Sequence, residues 1–269
     1  MKKSIGIAVS IVTGLSTIAG VLGYTVRDFC PGLSWWESGL ALLCGIVVIT
    51  LIIWVINRLL CKRPYKTKIN GQQVTIRVGD LFEETTNIVI PFNERYDTKV
   101  DDIVISKSSL NGKVITKIGN SGVNELKRLI EEKAREIQSR RGGNPGNGTS
   151  GFVFPLGTII PYRKYLFLAF AHVDEENRAY IGVEEYEMIL VQMWKEIRNS
   201  YAGNKDVLPL IGTGITDIEG VDQKDYTQML KCTLCSLRIS GFQFLAGIDI
   251  ILTPEVMKKI DMNFIKEEF

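Results

Sequence analysis

The chain has 269 residues, enough for one large domain or two small ones, with 32 basic side chains, 30 acidic side chains and one histidine. Residues 1–63 contain six of the basic and two of the acidic side chains, so residues 64–269 carry a net charge of −2. Nucleic-acid-binding domains usually show a basic excess, so this balance argues against a nucleic-acid partner. It does not argue against a nucleotide held by backbone N–H groups.

Two long uncharged stretches lie near the N-terminus. Residues Ser4 to Val26 and Ser38 to Asn57 contain no Asp, Glu, Lys or Arg. Each is at or above the roughly 20 residues that a helix needs to cross a bilayer. A buried core helix is the alternative for either stretch, and a cleaved signal peptide would account for the first alone. We predict a transmembrane hairpin over residues 1–63, with spans at about 4–26 and 38–57.

Basic residues flank both predicted spans. Lys2 and Lys3 precede the first span, whereas the connection from Arg27 to Glu37 carries one base and two acids. Further bases follow the second span: Arg58, Lys62, Arg63, Lys66 and Lys68. Because basic residues favour the cytoplasmic side, we expect a protein of the cell inner membrane with both termini in the cytoplasm. Residues 64–269 would then form a cytosolic domain.

Small residues recur along the first predicted span. Gly6, Ser10 and Gly14 lie four residues apart on one helical face. This spacing allows helix backbones to approach closely in lipid. The face would pack on the second span or on another copy of the chain. We expect a homo-oligomer. The alternative is that Gly and Ser are simply common in membrane helices.

Residues 64–269 show alternating strand and helix patterns. Strands are predicted at Gln73–Val78, Asn87–Pro91, Gly151–Ile160, Tyr165–Ala171, Asp206–Leu210 and Gln243–Leu252. Helices are predicted at Val123–Arg140, Gly182–Tyr201, Gln223–Ser240 and Pro254–Ile260. This order predicts an α/β domain of three layers, α/β/α, with helices on both faces of a mixed sheet.

The cysteines and the histidine form no recognisable catalytic or metal-binding pattern. Cys232 and Cys235 make one C-x-x-C, which is weak evidence for metal without a second pair. A helical core position is the alternative for both. His172 follows a strand, and no partner for a nucleophile is evident. We therefore predict no metal, no cofactor and no catalytic residue.

Two short segments that follow predicted strands carry the candidate binding chemistry. In Pro209–Gly214 (PLIGTG), glycines allow positive φ and leave room for a diphosphate to reach the N–H groups of a turn. A plain tight turn would use the same residues. In Val78–Leu81 (VGDL), Asp80 can accept a hydrogen bond from an exocyclic amine such as that of adenine. A cap or turn role for Asp80 is the alternative.

Taken in order, these segments resemble the macro-domain family, whose members bind ADP-ribose. The resemblance covers roughly residues 72–260 and rests on Gly79-Asp80-Leu81, on Asn87–Asn93 (NIVIPFN) and on Pro209–Gly214. The last element is the most specific. The resemblance implies a macro-type α/β/α fold with a mixed sheet.

Two departures from the family pattern indicate which branch of the family the chain resembles. The usual N-A-A-N loop reads Ile90-Pro91-Phe92-Asn93, and the glycine run of the first phosphate loop is replaced by Ser108–Lys113 (SSLNGK). With a two-span hairpin, this form is similar to the membrane-anchored macro effectors of Thoeris antiphage systems.

The resemblance implies ligand contacts at twelve positions. Asp80 would bind the adenine amine beside the backbone of Leu81, and Asn93, next to Phe92, would lie near the distal ribose. The first phosphate loop would comprise Leu110, Asn111, Gly112 and Lys113. The second would comprise Gly212, Thr213, Gly214 and Ile215. The Lys113 side chain would add charge to the diphosphate, or would simply be a solvent-exposed lysine.

The resemblance also implies a function. A TIR-domain enzyme would make an ADP-ribose-derived signal, in one branch a histidine conjugate of ADP-ribose. This protein would bind the signal, oligomerise and disrupt the lipid bilayer. A membrane-tethered ADP-ribosylhydrolase is the alternative, and a scaffold is a third possibility. Macro hydrolases activate water near the Asn loop and the first phosphate loop, and both are altered here, so we expect binding without turnover.

Overall fold

The computed structural model describes residues 63–141, 151–200 and 203–269, together with scattered residues between 10 and 55. The chain divides into two compact units, Met1–Arg63 and Pro64–Phe269. Within the described residues, no helix combines the length and the apolar character needed to cross a membrane. Most of the two predicted spans lies outside the described residues, so the transmembrane hairpin stays a prediction.

The described part of the second unit contains a nine-stranded sheet. Its strands are β1 (Tyr65–Ile69), β2 (Gln72–Val78), β3 (Asn87–Asn93), β4 (Ile159–Tyr162), β5 (Tyr165–Val173), β6 (Ala179–Gly182), β7 (Asp206–Pro209), β8 (Asp217–Glu219) and β9 (Ile248–Leu252). The strand order is β1-β2-β9-β7-β3-β5-β6-β8, and β4 pairs with β5. The run from β2 to β5 is parallel, whereas β1–β2, β4–β5 and β5–β6 are antiparallel. The predicted mixed sheet is confirmed.

Helices cover both faces of this sheet. They are α1 (Leu110–Arg140), α2 (Val183–Asn199), α3 (Tyr226–Ser240), α4 (Pro254–Met257) and α5 (Met262–Glu268). Successive residues of β3 alternate between two apolar clusters: Val89 packs with residues of α2 and α3, and Ile88 and Ile90 pack with residues of α1. Side chains alternate across a strand, so the core has two halves and the domain has three layers.

The longest helix begins well before its predicted start at Val123. Ser109 caps α1, because its hydroxyl accepts a hydrogen bond from the Gly112 N–H at 3.1 Å. The helix is interrupted at Gly119, where φ is +66° and ψ is 179°. Glycine adopts this conformation without the steric cost that a Cβ would add. The interruption explains why the apolar periodicity of the sequence identified only the second segment.

The predicted strand at Gly151–Ile160 is much shorter in the structure. Only its last residues belong to β4, which starts at Ile159. Pro155 lacks an N–H for a strand ladder, and Gly157 has a φ of +87°, which is outside the range of an extended strand. Strands β1, β6 and β8 and helix α5 were not predicted.

Asp206, at the start of β7, is fully buried. Its Oδ1 accepts a hydrogen bond from Asn87 Nδ2 at 2.9 Å, and its Oδ2 has no partner among the described residues. Burial raises the pKa of Asp206 from 3.8 to about 6, against the opposing hydrogen bond from Asn87. Because the folded pKa is raised, this group favours the folded state at low pH and loses that contribution as pH rises from about 4 through about 6.

We expect Asp206→Asn to stabilise the protein at pH 8 by ~2 kcal/mol and to have little effect at pH 4, because the amide removes a buried unpaired charge. Urea unfolding at both pH values measures the difference. The matched control is Asp222→Asn, an exposed aspartate whose replacement should leave the pH dependence unchanged. A variant that is equally destabilised at pH 4 and pH 8 would contradict the assignment.

Candidate functional site

A cleft of about 840 Å³ opens at the carboxyl ends of the parallel strands. Its walls come from the residues that follow β2, β3, β7 and β9, from the end of β5 and from the start of α1. Ligands of open α/β sheets bind at this edge. The volume is within the range of small-molecule sites, roughly 300–1,000 Å³.

Eleven of the twelve residues that the sequence assigned to the ligand line this cleft: Asp80, Leu81, Phe92, Asn93, Leu110, Asn111, Lys113, Gly212, Thr213, Gly214 and Ile215. The twelfth, Gly112, does not. A Cβ at Gly112 would lie 2.2 Å from the Ser106 carbonyl oxygen. Gly112 therefore allows the first turn of α1 to pack against the preceding loop, and its role is one of close backbone approach.

The segment after β7 presents a row of free backbone donors. Within the described residues, none of the N–H groups of residues 211–216 donates a hydrogen bond. Two carbonyl groups at the start of this segment accept hydrogen bonds from side chains. Thr213 Oγ1 donates to the Leu210 oxygen at 2.8 Å, and Tyr186 Oη donates to the Ile211 oxygen at 3.0 Å. Successive free N–H groups of this kind form an anion-binding concavity.

Of the two glycines in this segment, only Gly212 requires glycine for its conformation. Its φ is +84°, and a Cβ would lie 2.8 Å from Met229 Cε and 3.0 Å from Tyr186 Cε2. Gly214 has no positive φ, and a Cβ there would meet nothing within 4 Å. The sequence attributed positive φ to the glycines of this turn in general, and for Gly214 that prediction is wrong.

The predicted first phosphate loop is not a loop. Leu110, Asn111, Gly112 and Lys113 form the first turn of α1. The N–H groups of Leu110 and Asn111 have no partner among the described residues, so the positive end of the helix dipole borders the cleft. Lys113 is exposed and forms no ion pair within the described residues. The segment is a helix N-terminus and not the predicted loop, and a helix N-terminus also suits an anion.

Asp80 uses one of its two carboxylate oxygens as a helix cap. Its Oδ1 accepts a hydrogen bond from the Phe82 N–H at 2.9 Å and so caps the short 3-10 helix Leu81–Glu83. Its Oδ2 has no hydrogen-bond partner in the described part of the chain. One oxygen is therefore structural, and the other is available to a ligand donor in the cleft.

Asn93 and Phe92 at the end of β3 serve mainly to shape the wall. The Asn93 amide donates to Asp97 Oδ2 at 2.7 Å, and its oxygen accepts the N–H groups of Arg95 and Asp97 at 3.2 Å each. The Phe92 ring is buried against Phe167, with ring centroids 4.8 Å apart. The side chain of Asn93 thus organises the turn that follows β3.

Sequence reasoning missed the wall contributed by β5 and the turn after it. Phe170, Ala171, Val173, Asn177 and Ala179 line the cleft. They do so because β5 lies parallel and adjacent to β3, with Asn93 in register with Ala171. Adjacency of strands in a sheet is not visible in chain order. The segment lacks a motif, so no sequence feature would have found it.

His172 does not line this cleft, and its ring contacts two carboxylates. Its Nδ1 lies 2.6 Å from Glu94 Oε2, and its Nε2 lies 3.1 Å from Glu185 Oε1. Burial opposes protonation, but the hydrogen bonds to Glu185 and Glu94 raise the pKa of His172 overall. The hydrogen bond from His172, with that from the Gly182 N–H, lowers the pKa of Glu185. These three side chains line a second cavity of about 610 Å³.

Cys232 and Cys235 lie in α3, as the predicted helix requires, and both are partly buried free thiols. In the described ranges, no group of three or more His, Cys, Asp or Glu side chains has the geometry to hold a metal ion.

Two sequence comparisons identify the family to which the chain belongs. A family model described as "Thoeris protein ThsA, Macro domain" matches residues 74–253. The Thoeris protein ThsA of Bacillus amyloliquefaciens (strain Y2) is 30% identical over 272 residues, which cover 99% of this chain and 88% of that protein.

Two solved structures of the Oceanobacillus iheyensis macrodomain, one with ADP and one with MES bound, are also similar. Each is 14% identical to this chain and has a TM-score of 0.47. The similarity covers 77% of this chain and, respectively, 98% and 99% of the macrodomain chains. The predicted membership of the macro-domain family is confirmed by the match over residues 74–253, and the chain belongs to the Thoeris ThsA macro-domain family.

Proposed function

We propose that the protein is a sensor and effector of antiphage defence that binds an ADP-ribose-derived nucleotide in the 840 Å³ cleft. The observation that carries this proposal is the row of free N–H groups at residues 211–216. It lines the same cleft as the N-terminus of α1. A diphosphate is the group that two such donor-rich segments suit, because both present positive partial charge without a bulky side chain.

The cleft offers a distinct place for each part of the ligand. The free oxygen of Asp80 is placed to accept a hydrogen bond from the adenine amine. The diphosphate lies against residues 211–216 and the first turn of α1, with Lys113 at the rim. The distal ribose and any group attached to it extend toward Asn93 and the residues at the end of β5. A histidine conjugate of ADP-ribose is one candidate ligand of this shape.

Binding without turnover is supported by the titratable groups of the cleft. Among the described residues that line it, Asp80 and Lys113 are the charged ones. Asp80 belongs to the adenine end in this proposal, and His172 does not line the cleft. The carboxylate of Asp97 lies near the distal ribose, where its Oδ2 accepts a hydrogen bond from Asn93 Nδ2 at 2.7 Å, but Asp97 does not line the cleft. Among the described residues that line the cleft, none is therefore placed as a general base near the distal ribose. A membrane-tethered ADP-ribosylhydrolase remains the rival function.

One experiment tests ligand and turnover together. Calorimetry of the full-length protein against ADP-ribose, NAD and amino-acid conjugates of ADP-ribose should show saturable binding of at least one of them. Chromatography of the ligand after incubation for hours should recover it unchanged. Absence of binding by every ligand would refute the sensor function. Steady release of ADP-ribose from a conjugate, lost in Asn93→Ala, would establish the hydrolase instead.

The effector part of the proposal concerns residues 1–63. They would form a transmembrane hairpin in the inner membrane, with both termini cytoplasmic, and a TIR-domain protein would supply the signal. The uncharged stretches and their basic flanks support this topology. Ligand binding would change how copies of the protein pack and so disrupt the bilayer. A ligand drives such a change only through its different affinities for the two packing states.

A further inference from the structure

A lysine outside the cleft binds the back of the segment that lines it. Lys224, in the connection between β8 and α3, donates from Nζ to the carbonyl oxygen of Gly214 at 2.8 Å and to that of Thr216 at 2.5 Å. Lys224 is half-buried and does not line the cleft. Burial lowers the pKa of Lys224, and the nearby charge of Asp217 opposes that shift.

The orientation of a carbonyl fixes the orientation of the next N–H. In a trans peptide the C=O and the following N–H point in opposite directions. Because the Gly214 oxygen points to Lys224, the Ile215 N–H points to the other side, where Ile215 lines the cleft. The hydrogen bonds of Tyr186 and Thr213 orient the N–H groups of Gly212 and Ile211 by the same geometry.

We propose that Lys224 is a positioning residue that preorganises the donor row at residues 211–216 for the ligand's diphosphate. This inference rests on the proposed function of the cleft. Lys224 acts through the backbone of Gly214 and Thr216 without touching the ligand. N–H donors that are already oriented need no rearrangement when the ligand binds. The ligand therefore binds more tightly than it would to a loop that Lys224 does not hold.

The test is Lys224→Met in the full-length protein, with ADP-ribose as the probe. Methionine retains the length and loses the donors. We expect binding to weaken about tenfold, the equivalent of ~1.4 kcal/mol, while the thermal unfolding midpoint shows that the protein is folded at the assay temperature. Lys224→Arg, which keeps several donors on a long stem, should recover most of the affinity. Lys195→Met, which removes an exposed lysine of α2, controls for the loss of one charge.

Salt separates positioning from a distant charge effect. The Debye length is about 10 Å at 0.1 M salt and about 3 Å at 1 M. If Lys224 positions the loop, the affinity ratio of the unaltered protein to Lys224→Met stays near tenfold at 1 M salt. For Lys113→Met, whose ammonium is exposed at the cleft rim, the corresponding ratio should shrink.

The remaining outcomes contradict either the role of Lys224 or the proposed function of the cleft. Unchanged affinity in Lys224→Met, or a loss that disappears at 1 M salt, overturns the inference and leaves the proposed function intact. Failure of the unaltered protein to bind ADP-ribose or its conjugates contradicts the proposed function itself. If Lys224→Met is unfolded, Lys224→Gln takes its place. Its shorter amide cannot reach both carbonyls, so the same outcomes apply.

Discussion

Gly212→Val is expected to abolish measurable nucleotide binding, with a loss of about 100-fold or more, equivalent to ~2.7 kcal/mol. The valine would have to adopt the φ of +84° seen at this position and place its Cβ 2.8 Å from Met229 Cε and 3.0 Å from Tyr186 Cε2. A β-branched residue strongly disfavours this region of φ. The segment must therefore move, and with it the donor row at residues 211–216.

A glycine remote from the cleft separates backbone strain from the effect on the site. Gly220 has a nearly equal φ of +81°, but a Cβ there meets nothing within 4 Å, and the residue does not line the cleft. Gly220→Val should lower the unfolding midpoint and leave the affinity for ADP-ribose unchanged. Calorimetry of both variants, at a temperature where both are folded, makes the comparison. Full affinity in Gly212→Val would show that this segment is not the phosphate site.

The second large effect is expected in cysteine labelling, which tests on which side of the membrane each part of the chain would lie. Cys30 lies in the short connection between the predicted spans. With the predicted orientation, a membrane-impermeant maleimide should label Cys30 in intact spheroplasts. Cys232 and Cys235, in α3, should stay unlabelled until the membrane is permeabilised. The expected change is all-or-none because the bilayer blocks the reagent.

Two variants make the labelling experiment specific. Cys30→Ser should lose the label in intact spheroplasts, and Phe269→Cys should gain a label only after permeabilisation. The reverse pattern would place residues 64–269 outside the cytoplasm, where a cytosolic nucleotide signal has no access. Labelling of every cysteine in intact spheroplasts would exclude a membrane-protected domain. Either result would reject the effector part of the proposal.

The central strands were predicted well because a strand that is buried on both faces has a continuous run of apolar residues, which is easy to recognise in a sequence. β5 reads YLFLAFAHV, and all of its residues but His172 are buried, as expected for a strand covered by helices on both sides. By contrast, β1 alternates Tyr, Lys, Thr, Lys and Ile at the edge of the sheet, and β8 is three residues long. Short or polar edge strands have little hydrophobic periodicity, so β1 and β8 were not predicted.

Most of the predicted site residues converged because their motifs lie at the carboxyl ends of parallel strands, which meet at one edge. The first turn of α1, which starts at Leu110, borders the same edge. Conformation within the motifs was harder to predict. The start of α1 is set by the side chain of Ser109, which caps the helix. The helix is then interrupted at Gly119, so its apolar periodicity does not reach back to this start. Contacts between distant segments were not predictable. Glu94 and Glu185 lie 78 and 13 residues from His172 in the sequence, and no motif joins the three.

The position of His172 has a practical consequence for observing the cleft. Ala171 lines the cleft and the next residue, His172, lines the second cavity. Asn93, the last residue of β3, and the next residue, Glu94, line the cleft and the second cavity in the same way. The protein contains one histidine, so its imidazole resonances need no assignment by mutagenesis. They provide a spectroscopic probe one residue from the cleft wall, with only the protein isotope-labelled because a histidine conjugate would add an imidazole of its own.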